Sequence, residues 1–324
     1  MTPDKDYLRV DYRAVYAAWL AFRKGKHPSL TIDRFAYNLE ADLAQLADEL
    51  ARRTYKHGGY QKIIVREKKR RDLAVASVRD RVVHRLMYDY LLPKFDPSFD
   101  PDVWSCRKDK GLHKCLVRTQ QLLQKHQTDY VWRADITKFF DFVDQRLLLD
   151  CLSRRVGRDT TAMWLCREVI DSYSVQPGRG IPIGNLTSQL FANIYLHEFD
   201  RFVRHKLKPR AYVRYGDDFI LFYSTRRQTY DARDIAAAFL ADHMKLTVNS
   251  KNNIVLAASR GLKFLGHSVT ADSAEVDVYT TKRVLQRLDW HNTSSYRALP
   301  LAKTARDGLD WILLEKHVDI DYLI

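Results

Sequence analysis

The chain is poor in the residues on which small or unusual folds depend. Four cysteines occur in 324 residues (Cys106, Cys115, Cys151 and Cys166), irregularly spaced and with no CxxC pair. That excludes a disulfide-stapled scaffold and a zinc ribbon, and it suits a reducing cytosol. Twelve glycines and nine prolines exclude collagen-like sequence. No run of about 18 apolar residues is present, so no transmembrane helix is expected. The stretch MTPDKDYLRVDYRAVY lacks the apolar core of a signal peptide. A cytoplasmic protein without a membrane partner is expected. Acidic residues are the minority charge, 40 against 54 Lys plus Arg, for a formal net charge of +14.

What is present is enough for a packed core. Hydrophobic residues make up 46% and aromatics 12%, which excludes a disordered chain and allows one to three domains. The positive excess on a folded chain points to a polyanionic partner, most often nucleic acid or an anionic membrane surface.

Patterning predicts mixed elements. Phe35, Leu39, Leu43, Leu46 and Leu50 predict an amphipathic helix over 33–54, broken by His57-Gly58-Gly59. Tyr60–Val65 reads as a strand that runs into the basic cluster Arg66, Lys68, Lys69, Arg70 and Arg71. A helix is expected over Val78–Leu92, stopped by Pro93. Tyr130–Ile136 reads as a strand, and helices are expected near 144–156, 162–173 and 187–206. Ala211–Tyr215 and Phe219–Tyr223 form a predicted hairpin with Gly216-Asp217-Asp218 as its turn. A helix over Ala232–Met244, a strand over Leu262–Val269 and a helical tail from Thr280 complete an α+β chain.

The chemistry concentrates in carboxylates. Asp217 and Asp218 are adjacent at a hairpin tip, where like charges repel unless a cation relieves them. A solvated Asp-Asp turn is the common alternative, but the flanks here are aromatic and apolar. Asp135 ends the strand VWRAD and adds a third acid from a separate strand, as two-metal phosphoryl transfer requires. Mg²⁺ takes such oxygen ligands together with substrate phosphates. The Lys68–Arg71 run could neutralise a triphosphate or a nucleic-acid backbone; a solvated charged loop is its plain reading. Residues 180–189, GIPIGNLTSQ, read as a shaped loop that opens a capped helix.

The order of these segments resembles a reverse transcriptase. DITKFFD is similar to the family's first acidic motif, GIPIGNLTSQLFANIYL to its Gly-loop and helix, and YGDD to its paired-Asp hairpin. LTVNSKNN and GLKFLGH resemble the two motifs that follow, and RRDLAVASVRDRVVHRLMYDYLLPKFDPSF resembles the fingers of group II intron-like enzymes. The resemblance covers about residues 55–270.

It implies a right-hand polymerase. A helical extension would span 1–55, fingers 56–128 (with 150–180 shared between palm and fingers), an antiparallel-sheet palm 129–269 and a helical thumb 270–324. Asp135, Asp217, Asp218 and the backbone of Ile136 would hold two Mg²⁺ ions, with Mn²⁺ as a substitute. Lys251 matches a lysine that protonates pyrophosphate. Lys68, Lys69, Arg71, Phe140, Ile183 and Gly184 would bind the nucleotide, with Phe140 as the steric gate against a ribose 2′-hydroxyl. Arg79, Arg81, Asn185, Ser188, Gln189, Tyr215, Gly261, Phe264 and Gly266 would contact template or primer.

No segment resembles an integrase, RNase H, maturase or endonuclease domain. An aliphatic residue, Ile183, stands where retroviral enzymes have Gln, and Gly184-Asn185-Leu186-Thr187-Ser188-Gln189 follows. That is similar to the reverse transcriptases of diversity-generating retroelements, as is AWLAFRKGKHPSL near the N-terminus. The resemblance implies bacterial, archaeal or phage coding, a template-repeat RNA, dNTPs, primer and cDNA as partners, and a basic pentameric accessory variability protein. Retron, abortive-infection and group II-like enzymes are the neighbouring alternatives. A non-catalytic RNA binder has no use for three acids in a basic groove. An RNA-dependent RNA polymerase is disfavoured by the ring of Phe140.

Overall fold

Helical and strand periodicities alternate along the sequence, and the computed structural model, which describes residues 7–66 and 70–287, turns them into helices and short antiparallel strands. The chain opens with α1 (Tyr12–Arg23), α2 (Leu30–Tyr37) and α3 (Leu39–Ala51). A hairpin of β1 (Gln61–Arg66) and β2 (Arg70–Val75) leads into α4 (Val78–Phe95) and α5 (Leu112–Lys125). Then come β3 (Tyr130–Ala134), the short α6 (Phe139–Phe142), α7 (Gln145–Val156), α8 (Thr160–Asp171) and α9 (Leu186–Phe202). The hairpin β4 (Ala211–Tyr215) and β5 (Asp218–Tyr223) precedes α10 (Arg226–Met244). Short strands β6 (Ile254–Ala257), β7 (Leu262–Phe264), β8 (His267–Val269) and β9 (Ala274–Val276) lead to α11 (Val278–Arg287). The fold is mixed α+β, as the pattern predicts.

The chain forms two compact units, each built from separated stretches. The first comprises the chain through Pro101, Ile136–Leu207 and Ala236–Val248. It is mainly helical. α4 packs against α1 and α9, burying Val82, Val83, Leu86 and Met87. Side-chain caps fix several helix starts: Ser77 accepts from the Asp80 N–H, Asp144 from Leu147, and Asp159 from Thr161 and Ala162.

Among the described residues, the second unit comprises Asp102–Asp135, Lys208–Ile235 and residues 249–287. Its centre is a four-stranded antiparallel sheet in the order β4-β5-β3-β6. Helix α5 packs against it, and Cys115, Leu116, Leu122 and Leu123 join Val131, Val213, Ile220 and Phe222 in one buried cluster. Alternation along the strands puts Trp132 and Phe219 on the other face, both buried and edge-to-face at 5.1 Å.

Several boundaries differ from the sequence expectation. The helix expected over 33–54 is two, because Asn38 leaves helical geometry (φ −106°, ψ 26°). α4 continues through Pro93 to Phe95. A proline in the last turn removes only its own donor, and the Asp96 N–H still reaches the Leu92 carbonyl. The basic cluster is not a loop throughout, since Arg70–Val75 is β2. α10 begins at Arg226, ahead of Ala232. The strand expected over Leu262–Val269 is a hairpin with a two-residue turn, Leu265-Gly266, both at positive φ. That backbone is the type I′ requirement. α5 fills a stretch to which the sequence reading assigns no element. Of the expected thumb, residues 288–324 lie outside the described residues. Among the described residues, no helix is long and apolar enough to cross a membrane.

Candidate active site

The acids of the second unit are brought together by strand register. β3 pairs with β5, Ala134 opposite Phe219. One step further along each strand, Asp135 therefore stands opposite Asp218. Asp218 is already the first residue of β5 and pairs with Tyr215, so the hairpin turn is only Gly216-Asp217. Gly216 has φ 63°, the first-position backbone that a type II′ turn demands of glycine.

Two side chains hold that turn. The Gly216 N–H donates to Ser105 Oγ at 3.0 Å, and Arg214 Nη1 donates to the Gly216 carbonyl at 2.9 Å. Arg214 is fully buried. Ser105 arrives because Asp102–Trp104 runs beside β4: the Arg214 N–H donates to Asp102 O, and the Trp104 N–H to Arg214 O.

Asp135 is held by the turn after α10. Asn252 Nδ2 and Asn249 Nδ2 donate to Asp135 Oδ2 at 3.0 and 3.3 Å. Oδ1 is buried and takes no hydrogen bond. Lys251 is exposed on the 3₁₀ turn Ser250–Asn252, its N–H on Asn249 Oδ1. Gly261, Phe264 and Gly266 shape the β7–β8 hairpin, Phe264 in the core and Gly266 half-buried at the turn.

The other predicted residues belong to the first unit, apart from half-buried Tyr215. The Ile183 carbonyl accepts from the Ala74 N–H at 3.0 Å. Asn185 is buried, with Oδ1 accepting from Ala76 N–H and Nδ2 donating to Ala74 O at 2.7 Å. This pins the loop before α9 to β2 and leaves Gly184 exposed and Ile183 half-buried. Phe140 is half-buried in α6, and its carbonyl accepts from the Ile181 N–H at 2.9 Å. Gln145 Nε2 ties the carbonyls of Ile170, Tyr173 and Gly180 together from below that loop.

Some predicted contacts face inward. Ser188 is buried, whereas Gln189 is exposed. Arg79 pairs with Glu49 and lies over the Tyr55 ring; Arg81 lies 5.2 Å over the Phe22 ring. Ile136 is buried and bridges to Val248. Arg71 belongs to β2, and Lys68 and Lys69 lie outside the described residues. Two surface clefts of about 330 Å³, one floored by Phe95 and Ile194 and one beside Trp104, contain none of the predicted site residues.

Sequence reasoning missed Ser105, Arg214, Asn249 and Asn252. The asparagines sit in a segment already singled out, LTVNSKNN; Ser105 carries no local signal.

The profile of the family described as reverse transcriptase (RNA-dependent DNA polymerase) matches residues 56–269. The chain belongs to the reverse transcriptase family. Protein YkfC of Escherichia coli K12 is 26% identical over 272 residues, covering 71% of each chain. The group II intron-encoded protein LtrA of Lactococcus lactis is 20% identical over 272 residues, covering 62% of this chain and 45% of LtrA. Apo telomerase from Candida tropicalis is a similar solved structure, with 10% identity, TM-score 0.48, and coverage of 90% of this chain and 70% of that one. RNA-directed DNA polymerisation is the activity of this domain, and template RNA and nucleotides are its substrates.

Reverse transcriptases in general work with divalent metal ions. The donor set here fits a hard cation: Asp135 follows β3, Asp218 opens the paired strand β5, and one buried Asp135 oxygen is unpartnered. Among the described residues no three Asp, Glu, His or Cys side chains converge closely enough to hold a metal by themselves. Mg²⁺ needs no such cage, since it takes one or two carboxylates and completes its shell from substrate phosphate and water.

Proposed function

We propose that this reverse transcriptase copies a template-repeat RNA into cDNA with errors at adenines, as the polymerase of a diversity-generating retroelement. The observation that carries the subtype is Ile183 before Gly184, followed by Asn-Leu-Thr-Ser-Gln. An aliphatic side chain offers no amide to check the geometry of a nascent base pair. The Ile183 carbonyl and the Asn185 side chain tie this loop to β2, which supports a fixed main chain at that position.

Asp135, Asp217 and Asp218, with the backbone of Ile136, are the ligands assigned to two Mg²⁺ ions, with Mn²⁺ as a substitute. When bound, such ions lower the pKa of a primer 3′-hydroxyl and stabilise charge on the transferred phosphate. Lys251 gives a proton to the leaving pyrophosphate. Phe140 excludes the ribose 2′-hydroxyl, and Lys68, Lys69 and Arg71 grip the triphosphate. Gly184 brings main chain close to the nucleotide, and Tyr215 and Gln189 offer side chains to template and primer. Asn185, Ser188 and Phe264 act through the backbone they shape, as do Gly261 and Gly266. Arg79 and Arg81 support the fingers and add to the positive field. A basic pentameric accessory variability protein is the expected protein partner.

The likeness to LtrA favours a second reading, a group II-like bacterial enzyme of ordinary fidelity. Primer extension on an adenine-containing RNA with dNTPs and Mg²⁺, with the product sequenced, separates the two. Errors concentrated at template adenines support the retroelement enzyme; accurate cDNA supports the second reading. Asp217→Asn should abolish synthesis and leave RNA binding intact; continued synthesis would remove Asp217 from the chemistry.

A further inference from the structure

The two oxygens of Asp135 are treated differently by the protein. Oδ2 accepts from two side-chain amides, Asn252 at 3.0 Å and Asn249 at 3.3 Å. Oδ1 is buried and accepts nothing. A buried carboxylate oxygen without a partner is unfavourable unless a cation takes it.

The amides cannot easily turn away. Asn249 Oδ1 is occupied by the Lys251 N–H at 3.1 Å, which directs its Nδ2 toward Asp135. The Asn249 N–H donates to the Asp135 carbonyl at 2.9 Å, and the Asn252 N–H donates to the Asn249 carbonyl at 3.0 Å. Trp132 Nε1, on β3, donates to Asn253 Oδ1 at 2.7 Å. The turn is thus fastened at Asp135 itself and at Trp132 on the strand before it.

Neutral donors matter here. A lysine or arginine at either position would neutralise the carboxylate and compete with a metal for it. An amide fixes one oxygen and leaves the charge in place.

We propose that Asn249 and Asn252 are positioning residues that clamp Oδ2 of Asp135 and reserve Oδ1 for a divalent cation. The inference rests on the reading of Asp135 as a cation ligand. The same turn carries Lys251, so its placement governs two functional groups.

The test uses the full chain and Mn²⁺ as the probe, with bound ion counted from loss of the free-ion EPR signal. Asn252→Ala should weaken Mn²⁺ binding about tenfold or more, the scale of lost outer-shell partners. The Mg²⁺ concentration for half-maximal cDNA synthesis should rise by a similar factor, with the dNTP KM at saturating Mg²⁺ unchanged. Asn252→Gln, which keeps an amide, should recover part of the affinity. Asn249→Ser keeps an oxygen for the Lys251 N–H and removes the other donor; it repeats the test should Asn252→Ala fail to fold. Unchanged Mn²⁺ binding in these variants, alongside weakened binding in Asp135→Asn, overturns the clamp and leaves Asp135 a ligand. Unchanged binding in Asp135→Asn overturns the ligand reading itself, and the clamp with it.

Discussion

Arg214 Nη1 donates to the carbonyl of Gly216 at 2.9 Å from a fully buried guanidinium, so the turn bearing Asp217 is braced from inside the sheet. Ser105 closes the opposite side by accepting the Gly216 N–H. Both main-chain groups of the turn glycine are therefore committed. Ser105→Ala leaves that N–H without its partner and should destabilise the protein by about 1–2 kcal/mol. cDNA synthesis should fall more than stability does, because the turn bearing Asp217 loosens. Urea unfolding and primer extension on the same preparation check this; unchanged synthesis would show that the brace is dispensable.

The two glycines of the β7–β8 region predict different costs. A Cβ on Gly261 (φ 65°) would lie 2.6 Å from the Val269 carbonyl oxygen, whereas on Gly266 (φ 80°) its nearest neighbour is Thr280 Oγ1 at 3.5 Å. Gly266→Ala should cost about 1–2 kcal/mol, the left-handed backbone alone. Gly261→Ala adds a main-chain clash and should cost at least about 2 kcal/mol more. Equal midpoints in urea would contradict the assigned geometry.

A histidine pair, His84 buried and His57 half-buried, sets a pH dependence. Gly58 O lies 2.6 Å from His57 Nδ1, so that nitrogen carries the proton. His57 Nε2 then accepts from His84 Nε2 at 3.1 Å, and His84 Nδ1 accepts from the Thr187 hydroxyl at 2.5 Å. Burial, with His57 alongside, pushes the His84 pKa down to about 3; Asp80 opposes this and Arg81 adds to it. Between about pH 3 and 6.5 the unfolded chain binds the proton and the folded one does not, so stability falls on acidification. The loss from this group at pH 5 is about 2 kcal/mol relative to neutral pH. Urea unfolding at pH 7 and pH 5 should show it, and His84→Asn should flatten the slope. An equal slope in the variant would assign the effect elsewhere.

Fidelity and sugar choice separate in two substitutions. Ile183→Gln restores an amide before Gly184 and should reduce errors at template adenines several-fold. Phe140→Ala opens room for a 2′-hydroxyl and should raise ribonucleotide incorporation about tenfold or more, the scale of one lost steric contact. Sequenced products, and competition between dNTP and rNTP, read the two effects. Unaltered spectra would remove each residue from its role.

The local devices follow from short stretches of sequence. The β-branched and aromatic flanks of Tyr215–Asp218 specify a hairpin, and glycine at its first turn position specifies the bend. The carboxylates, the Gly-loop and the family follow from short motifs in order, because each is written in neighbouring residues. α5 was legible too, in Leu112, Cys115, Leu116, Thr119, Leu122 and Leu123 at helical spacing. What meets at a distance depends on how the elements pack. Tertiary structure put Asp135 opposite Asp218, through the register of two strands far apart in sequence. It brought Asn249 and Asn252 to one oxygen of Asp135, Ser105 to the Gly216 N–H, and His84 to Thr187. It also turned Arg79 and Asn185 inward, where sequence had them on nucleic acid. Such pairings depend on strand register and helix packing, which satisfy buried polar groups across the whole chain and leave no periodic trace in any one segment.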